Sequence, residues 1–164
     1  HGGSLRIYAA KRSSSHAVEE SYHRVLAAEK KARLDCLSGF AGMQDDVDRI
    51  CIDFMRFLVE ARANGRTVVG YGAAAKGNTF LNCCGVKPYL MQACIDVTPA
   101  KQGKLLPGSR IPVYAEDWLS HIKPDYIVVL PWNWGNEIRS RLSYASQWGA
   151  QFVTAIPELR VTPA

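Results

Sequence analysis

The stretch Gly70-Tyr71-Gly72-Ala73-Ala74-Ala75-Lys76-Gly77-Asn78-Thr79 concentrates residue types that suit an anionic ligand. Gly70, Gly72 and Ala75 fit a G-x-G-x-x-G/A spacing. In that pattern small residues let the backbone approach a diphosphate at the start of a helix, where unpaired N–H groups and the helix dipole favour anions. Lys76 adds a point charge. The Gly-Lys-Ser/Thr order of a Walker A loop is absent, and a tight turn that needs small residues explains the same letters.

Other polar residues fall where such a loop would need them. Asp96 lies 24 residues beyond Gly72, near where an acid meets ribose hydroxyls in dinucleotide-binding folds. It is equally a good turn former at a strand end. The following segment, Thr98 to Arg110, is rich in turn residues and reads as too polar for a core. Its Lys101 and Lys104 suit a phosphate clamp as well as a solvated loop. In Pro131-Trp132-Asn133-Trp134, tryptophan could stack on a base or sugar while Asn133 hydrogen-bonds; the alternative is a helix-packing tryptophan beside a cap residue. His16 and His23 read as solvated, His121 as a cation at a helix end, and Cys83-Cys84 as buried packing.

These residues need a scaffold that brings distant loops together. Apolar positions from 16 to 37 and from 45 to 63 recur at helical spacing, the second set closed by Asn64-Gly65. Leu5 to Tyr8 is a short strand-like run. From Arg66 onward short apolar runs alternate with helical ones. Strands are expected at Thr67–Tyr71, Met91–Asp96, Arg110–Val113, Tyr126–Leu130 and Gln151–Thr154. Helices are expected from Ala73, over Glu116–Ile122, and from Ile138 to Trp148 before Gly149. That alternation predicts a Rossmann-like α/β domain with a parallel five-stranded sheet of order 3-2-1-4-5, preceded by two helices that cover it. Pro112 places the third strand at an edge. The chain reverses direction between strands 1 and 4, so the loops after Tyr71 and Leu130 should line one crevice.

Composition narrows the ligand. The chain has 164 residues, 48% hydrophobic and 21% charged, which excludes a disordered chain or a fibrous repeat. The net charge is +5, and between Lys76 and Arg110 five basic residues stand against one acid, Asp96. A surplus so local, beside charge-mixed helices, favours a small anion over nucleic acid. No run approaches a membrane span and no signal-peptide order opens the chain, so a soluble cytoplasmic location is expected. The five cysteines contain no C-x-x-C pair, so neither a disulfide framework nor a metal site is expected.

In His1-Gly2-Gly3-Ser4-Leu5-Arg6, in the segment from Gly70 to Thr79, in Asp96 with Lys101-Gln102-Gly103-Lys104 and Pro107-Gly108, and in Pro131-Trp132-Asn133, the sequence resembles the C-terminal domain of the sugar C-methyltransferases. These are S-adenosylmethionine-dependent enzymes that act on nucleotide-linked deoxysugars. The resemblance covers almost the whole chain. It implies a parent with an N-terminal zinc domain, a central methyl-donor domain and this third domain, which helps hold the nucleotide sugar. A base in such enzymes removes a proton beside a sugar ketone, and the enolate takes the methyl group of the sulfonium donor. His1 matches the position of that base, although a histidine before two glycines is also what a cloning remnant looks like.

Residues 1–10 would then end the missing central domain, 11–65 would be a helical lead-in packed on the sheet, and 66–164 would be the nucleotide-sugar domain. Substrate binding is expected at Gly70, Tyr71, Gly72, Ala75, Lys76, Gly77, Asn78, Thr79, Asp96, Lys101, Lys104, Trp132 and Asn133. The chain alone is expected to bind no cofactor and transfer no methyl group, because its one glycine fingerprint has Gly70 where a donor loop carries an acid. The competing readings are a free-standing module for a nicotinamide dinucleotide and a regulatory domain with a vestigial crevice.

Overall fold

The computed structural model describes residues 5–164. The chain divides into two compact units, one ending at Val47 and the other running from Asp48 to Ala164. Leu5 to Tyr8, expected as strand-like, forms no strand, and Leu5, Ile7 and Tyr8 are exposed. Helix α1 spans Glu20–Lys31, shorter than the predicted 16–37, and has no buried residue. Beyond it Arg33 donates to Ser38 Oγ at 2.7 Å, ahead of a 3-10 turn at Leu37–Phe40. Helix α2, Met43–Ala63, crosses the boundary between the units, with Asp45 and Asp46 in its first turn where the dipole favours acids.

In the second unit the strands are β1 (Val68–Tyr71), β2 (Ala93–Ile95), β3 (Val113–Tyr114), β4 (Tyr126–Val129), β5 (Gln151–Thr154) and β6 (Arg160–Pro163). Their order is β3-β2-β1-β4-β5-β6. The first five pair in parallel in the expected 3-2-1-4-5 order, with β3 at the edge. The sixth strand was not expected. It pairs antiparallel with β5, Thr154 opposite Arg160 and Phe152 opposite Thr162.

The remaining helices are α3 (Ala75–Cys83), α4 (Trp118–Ile122) and α5 (Gly135–Arg141). The expected helix from Ile138 to Trp148 is broken: α5 ends before Leu142, and a 3-10 turn, Ser143–Trp148, closes on Gly149 at φ +75°. Helices cover both faces of the sheet. On one, Phe54 and Leu58 of α2 and Phe80 and Leu81 of α3 pack with Val68, Val128 and Leu130. On the other, Leu119 of α4 and Ile138 of α5 pack with Val69, Tyr71, Ile127 and Phe152. Successive strand residues face opposite layers, which is why Val68 and Val69 belong to different cores.

Candidate functional site

β1 and β4 are neighbours, yet from β1 the chain moves outward to β2 and from β4 to β5 in the opposite direction. Their carboxyl ends therefore form the switch point at which open α/β sheets bind ligands. The backbone there is tightly specified. Gly72 N–H donates to Ile95 O at 2.7 Å and Leu130 N–H to Tyr71 O at 3.0 Å, so the ladder runs on past the strands. Gly72 has φ +87°, and a Cβ on it would lie 2.6 Å from the ring of Pro131. Both facts demand glycine. A Cβ on Gly77 would lie 2.7 Å from Leu130 Cβ, so Gly77, rather than Ala75, lets α3 approach the sheet. Ala74, the N-cap of α3, supplies no side-chain oxygen, which leaves the first N–H groups of the helix without a side-chain cap.

Two loops meet at Lys76. Its ammonium donates to Asn133 Oδ1 and lies 4.4 Å above the ring centroid of Trp132. Both partners are uncharged, so the charge of this half-buried ammonium is not cancelled by them. Fifty-seven residues separate Lys76 from Asn133, and the topology alone brings them together. Trp132 is half-buried and Trp134 is 51% exposed at the same rim.

Asp96 is 6% exposed and fully engaged. Its Oδ2 accepts from Ala73 N–H at 2.7 Å and from Lys101 Nζ at 2.9 Å, and its Oδ1 accepts from Thr98 N–H at 2.8 Å. Burial pushes the carboxyl up, but the Thr98 and Lys101 hydrogen bonds and the Lys101 charge outweigh burial and hold it below the usual carboxylate value. The charge of Lys101 is correspondingly committed to Asp96. Lys104 is exposed. The segment Thr98 to Arg110, read from its polarity as outside the core, nevertheless sends two residues into it: Leu106 and Ser109 are buried, with Leu106 N–H bonded to Ile111 O at 2.8 Å.

Of the other expected residues, Thr79 Oγ1 bonds back to Ala75 O at 3.2 Å, and Asn78 Oδ1 is buried with no hydrogen-bond partner. Tyr71 points into the layer opposite Gly70. Its hydroxyl donates to Glu116 Oε2, which also accepts from Arg141 Nε at 2.9 Å. Burial, then the Glu116 carboxylate, pushes this phenol far above its ordinary value; burial and Glu116 also raise Tyr144. Sequence reading missed Glu116, Arg141 and Tyr144. His1 lies outside the described residues. Cys83, expected as buried packing, is exposed.

A shallow depression of about 400 Å³, lined by Phe57, Glu60, Ala61, Asn64, Arg66 and Tyr126, lies at the amino end of β1 and β4, away from the switch point. Among the described residues no group of three or more His, Cys, Asp or Glu is placed to hold a metal ion. No helix among them is long and apolar enough to cross a membrane.

A glycine loop, a lysine and an aromatic-amide pair are thus assembled at one switch point. A family model described as the C-methyltransferase C-terminal domain matches residues 1–157. The chain belongs to that family. It is also similar to the C-methyltransferase NovU of Streptomyces niveus, 34% identical over 164 residues, covering 100% of this chain and 39% of that protein. The chain thus spans well under half of that relative. This C-methyltransferase C-terminal domain carries its glycine-rich segment, Gly70 to Thr79, at the carboxyl end of β1.

Proposed function

We propose that this domain holds the diphosphate of a nucleotide-linked keto-deoxysugar between residues 72–79 and 131–134, as the substrate-binding part of an S-adenosylmethionine-dependent C-methyltransferase. One observation carries the reading: Lys76 sits at the start of α3, held by the neutral groups of Asn133 and Trp132. A positive charge fixed beside the first amides of a helix matches a diphosphate in charge and in hydrogen-bonding sense. The partners of the domain are then the nucleotide sugar and the central and N-terminal zinc domains of the same parent. His1 remains the candidate base in that parent.

The residues present do not suit the methyl donor. A donor loop pairs its glycines with an acid, and Gly70 stands where that acid belongs; its missing Cβ lets Met91 and Leu130 close in at 3.1 and 3.2 Å from where that atom would be. The other acid within reach of a ribose, Asp96, has its oxygens engaged by Ala73, Thr98 and Lys101. The same engagement weighs against the nicotinamide-dinucleotide alternative. Donor binding is therefore assigned to the remainder of the parent.

Calorimetric titration with deoxythymidine diphosphate, S-adenosylmethionine and a nicotinamide dinucleotide tests the reading. A charge-assisted hydrogen bond contributes on the order of 1.5–3 kcal/mol. Lys76→Ala should therefore weaken diphosphate binding roughly tenfold to a hundredfold with the fold intact. The nucleoside diphosphate should bind about as well as its sugar conjugate. Tighter binding of the methyl donor or the dinucleotide, or indifference to Lys76→Ala, would overturn it.

A further inference from the structure

Three of the five cysteines converge on one side of the second unit. Cys51 lies on α2, Cys83 closes α3, and Cys84 follows it; Cys51 and Cys84 are half-buried while Cys83 is exposed. Cys51 Sγ and Cys83 Sγ are 3.7 Å apart. Core packing sets that approach. Phe54, three residues after Cys51, meets Phe80, three residues before Cys83, with ring centroids 5.0 Å apart and both rings buried. Residues three apart share a helix face, so the aromatic pair that locks α2 onto α3 also aims the two thiols at each other. Of the remaining cysteines, Cys36 belongs to the first unit and Cys94 is buried in β2.

We propose that Cys51 and Cys83 are a reversible thiol–disulfide site that cross-links α2 to α3 when the protein meets a small-molecule disulfide. The exposed Cys83 thiolate attacks one sulfur of that disulfide and displaces one small thiolate, which takes up a proton. The Cys51 thiolate then attacks the Cys83 sulfur of the mixed disulfide and displaces the second small thiol. One external disulfide is reduced to two thiols, two electrons leave the protein dithiol, and an external dithiol reverses the exchange. Cys84 is the poorer entry point because it is half-buried and burial pushes its thiol up; Cys83 is raised too, by its contact with Cys51, but it is exposed to an incoming disulfide. The cross-link ties down the helix that presents Lys76 in its first turn.

Oxidised glutathione is the probe, applied to the full chain at mildly alkaline pH. Free thiols counted after denaturation should fall from five to three, with the protein monomeric on non-reducing gels, and dithiothreitol should restore all five. Trypsin cannot separate the adjacent Cys83 and Cys84, and Lys87 precedes proline and is not cleaved, so the expected product joins 50–56 to 77–101. Variants then assign the sulfur: Cys84→Ser should still lose two thiols, and Cys83→Ser, at an exposed position, should not form the cross-link. Closing this loop should raise the thermal midpoint by roughly 5–10 °C. An unchanged count of five, glutathione retained as a stable mixed disulfide, disulfide-linked dimers, or the same cross-linked peptide from Cys83→Ser would each overturn the proposal.

Discussion

Asp96→Asn separates two roles that a carboxylate at this strand end can play. If Asp96 served a ribose, the amide would keep the fold and lose nucleotide affinity. The structure instead makes it the brace of the β1 loop. An asparagine can keep its oxygen toward the Thr98 N–H, but its NH₂ then faces Ala73 N–H and the Lys101 ammonium, both donors. The buried Ala73 bond contributes about 1.5–3 kcal/mol as a bond to a charged acceptor. The Lys101 pair adds at most about 1 kcal/mol, because the lysine side chain is 43% exposed and solvent screens it. The expected loss is about 3 kcal/mol, which lowers the urea midpoint by roughly 1–2 M at a typical slope. The native carboxyl lies below its unfolded value, so its contribution is present above about pH 4 and disappears as the pH falls through the folded pKa. Wild type and variant should therefore converge in stability at acid pH. A midpoint shift below about 0.5 M at pH 7, or lost nucleotide binding with stability unchanged, would refute this brace.

Three further outcomes follow from the same geometry. Gly72→Ala should lose about 2–4 kcal/mol, from the positive φ and the clash with Pro131, while Gly85→Ala, at φ +70° in open space, should lose only about 1 kcal/mol; equal losses in urea titration would contradict the close approach. The phenol of Tyr71 is raised by burial and Glu116, so its contribution to stability is complete below about pH 10 and is lost as the pH rises beyond it; an absorbance titration should show late-ionising phenols, the latest of which is missing in Tyr71→Phe. The chain alone should transfer no labelled methyl group from S-adenosylmethionine to a keto-sugar nucleotide, and transfer above a no-protein blank would reverse the assignment of the donor site.

The fold was legible where burial is two-sided. Val68–Tyr71 and Tyr126–Val129 are short apolar runs because helices cover both faces of the sheet, and a continuous apolar run is the mark of such a strand. β6 left no such mark. Arg160–Pro163 is largely exposed and joins the sheet through backbone pairing with β5, which has no residue signature, and Pro163 argues against a strand in any window reading. The first helix was overextended for the opposite reason. Its apolar spacing weakens after Glu29, and a helix with no buried residue has no core contact to hold its ends.

At the site, residue type was legible and role was not. Lys76 and Asn133 could be brought together from sequence only through the strand order, since no motif spans the residues between them. Asp96 was visible as an acid at a strand end, but besides Lys101 its partners are the amides of Ala73 and Thr98, and every residue except proline carries an amide, so composition cannot disclose those two. Tyr71 is the instructive case, because the signal was present. In Val68-Val69-Gly70-Tyr71 successive side chains alternate between faces, so a Gly70 that makes room on the α3 side requires Tyr71 to point into the α4–α5 layer. Its hydroxyl, buried there, needed a partner. Glu116, placed between β3 and α4, is that partner, and Arg141 at the end of α5 balances its charge. The glycine loop is thus braced from both sides of the sheet, by Asp96 beside it and by the Tyr71–Glu116–Arg141 chain behind it. A loop braced in this way would have little ordering left to do on taking up the proposed diphosphate, so affinity should depend on the charge of Lys76 more than on any change of shape.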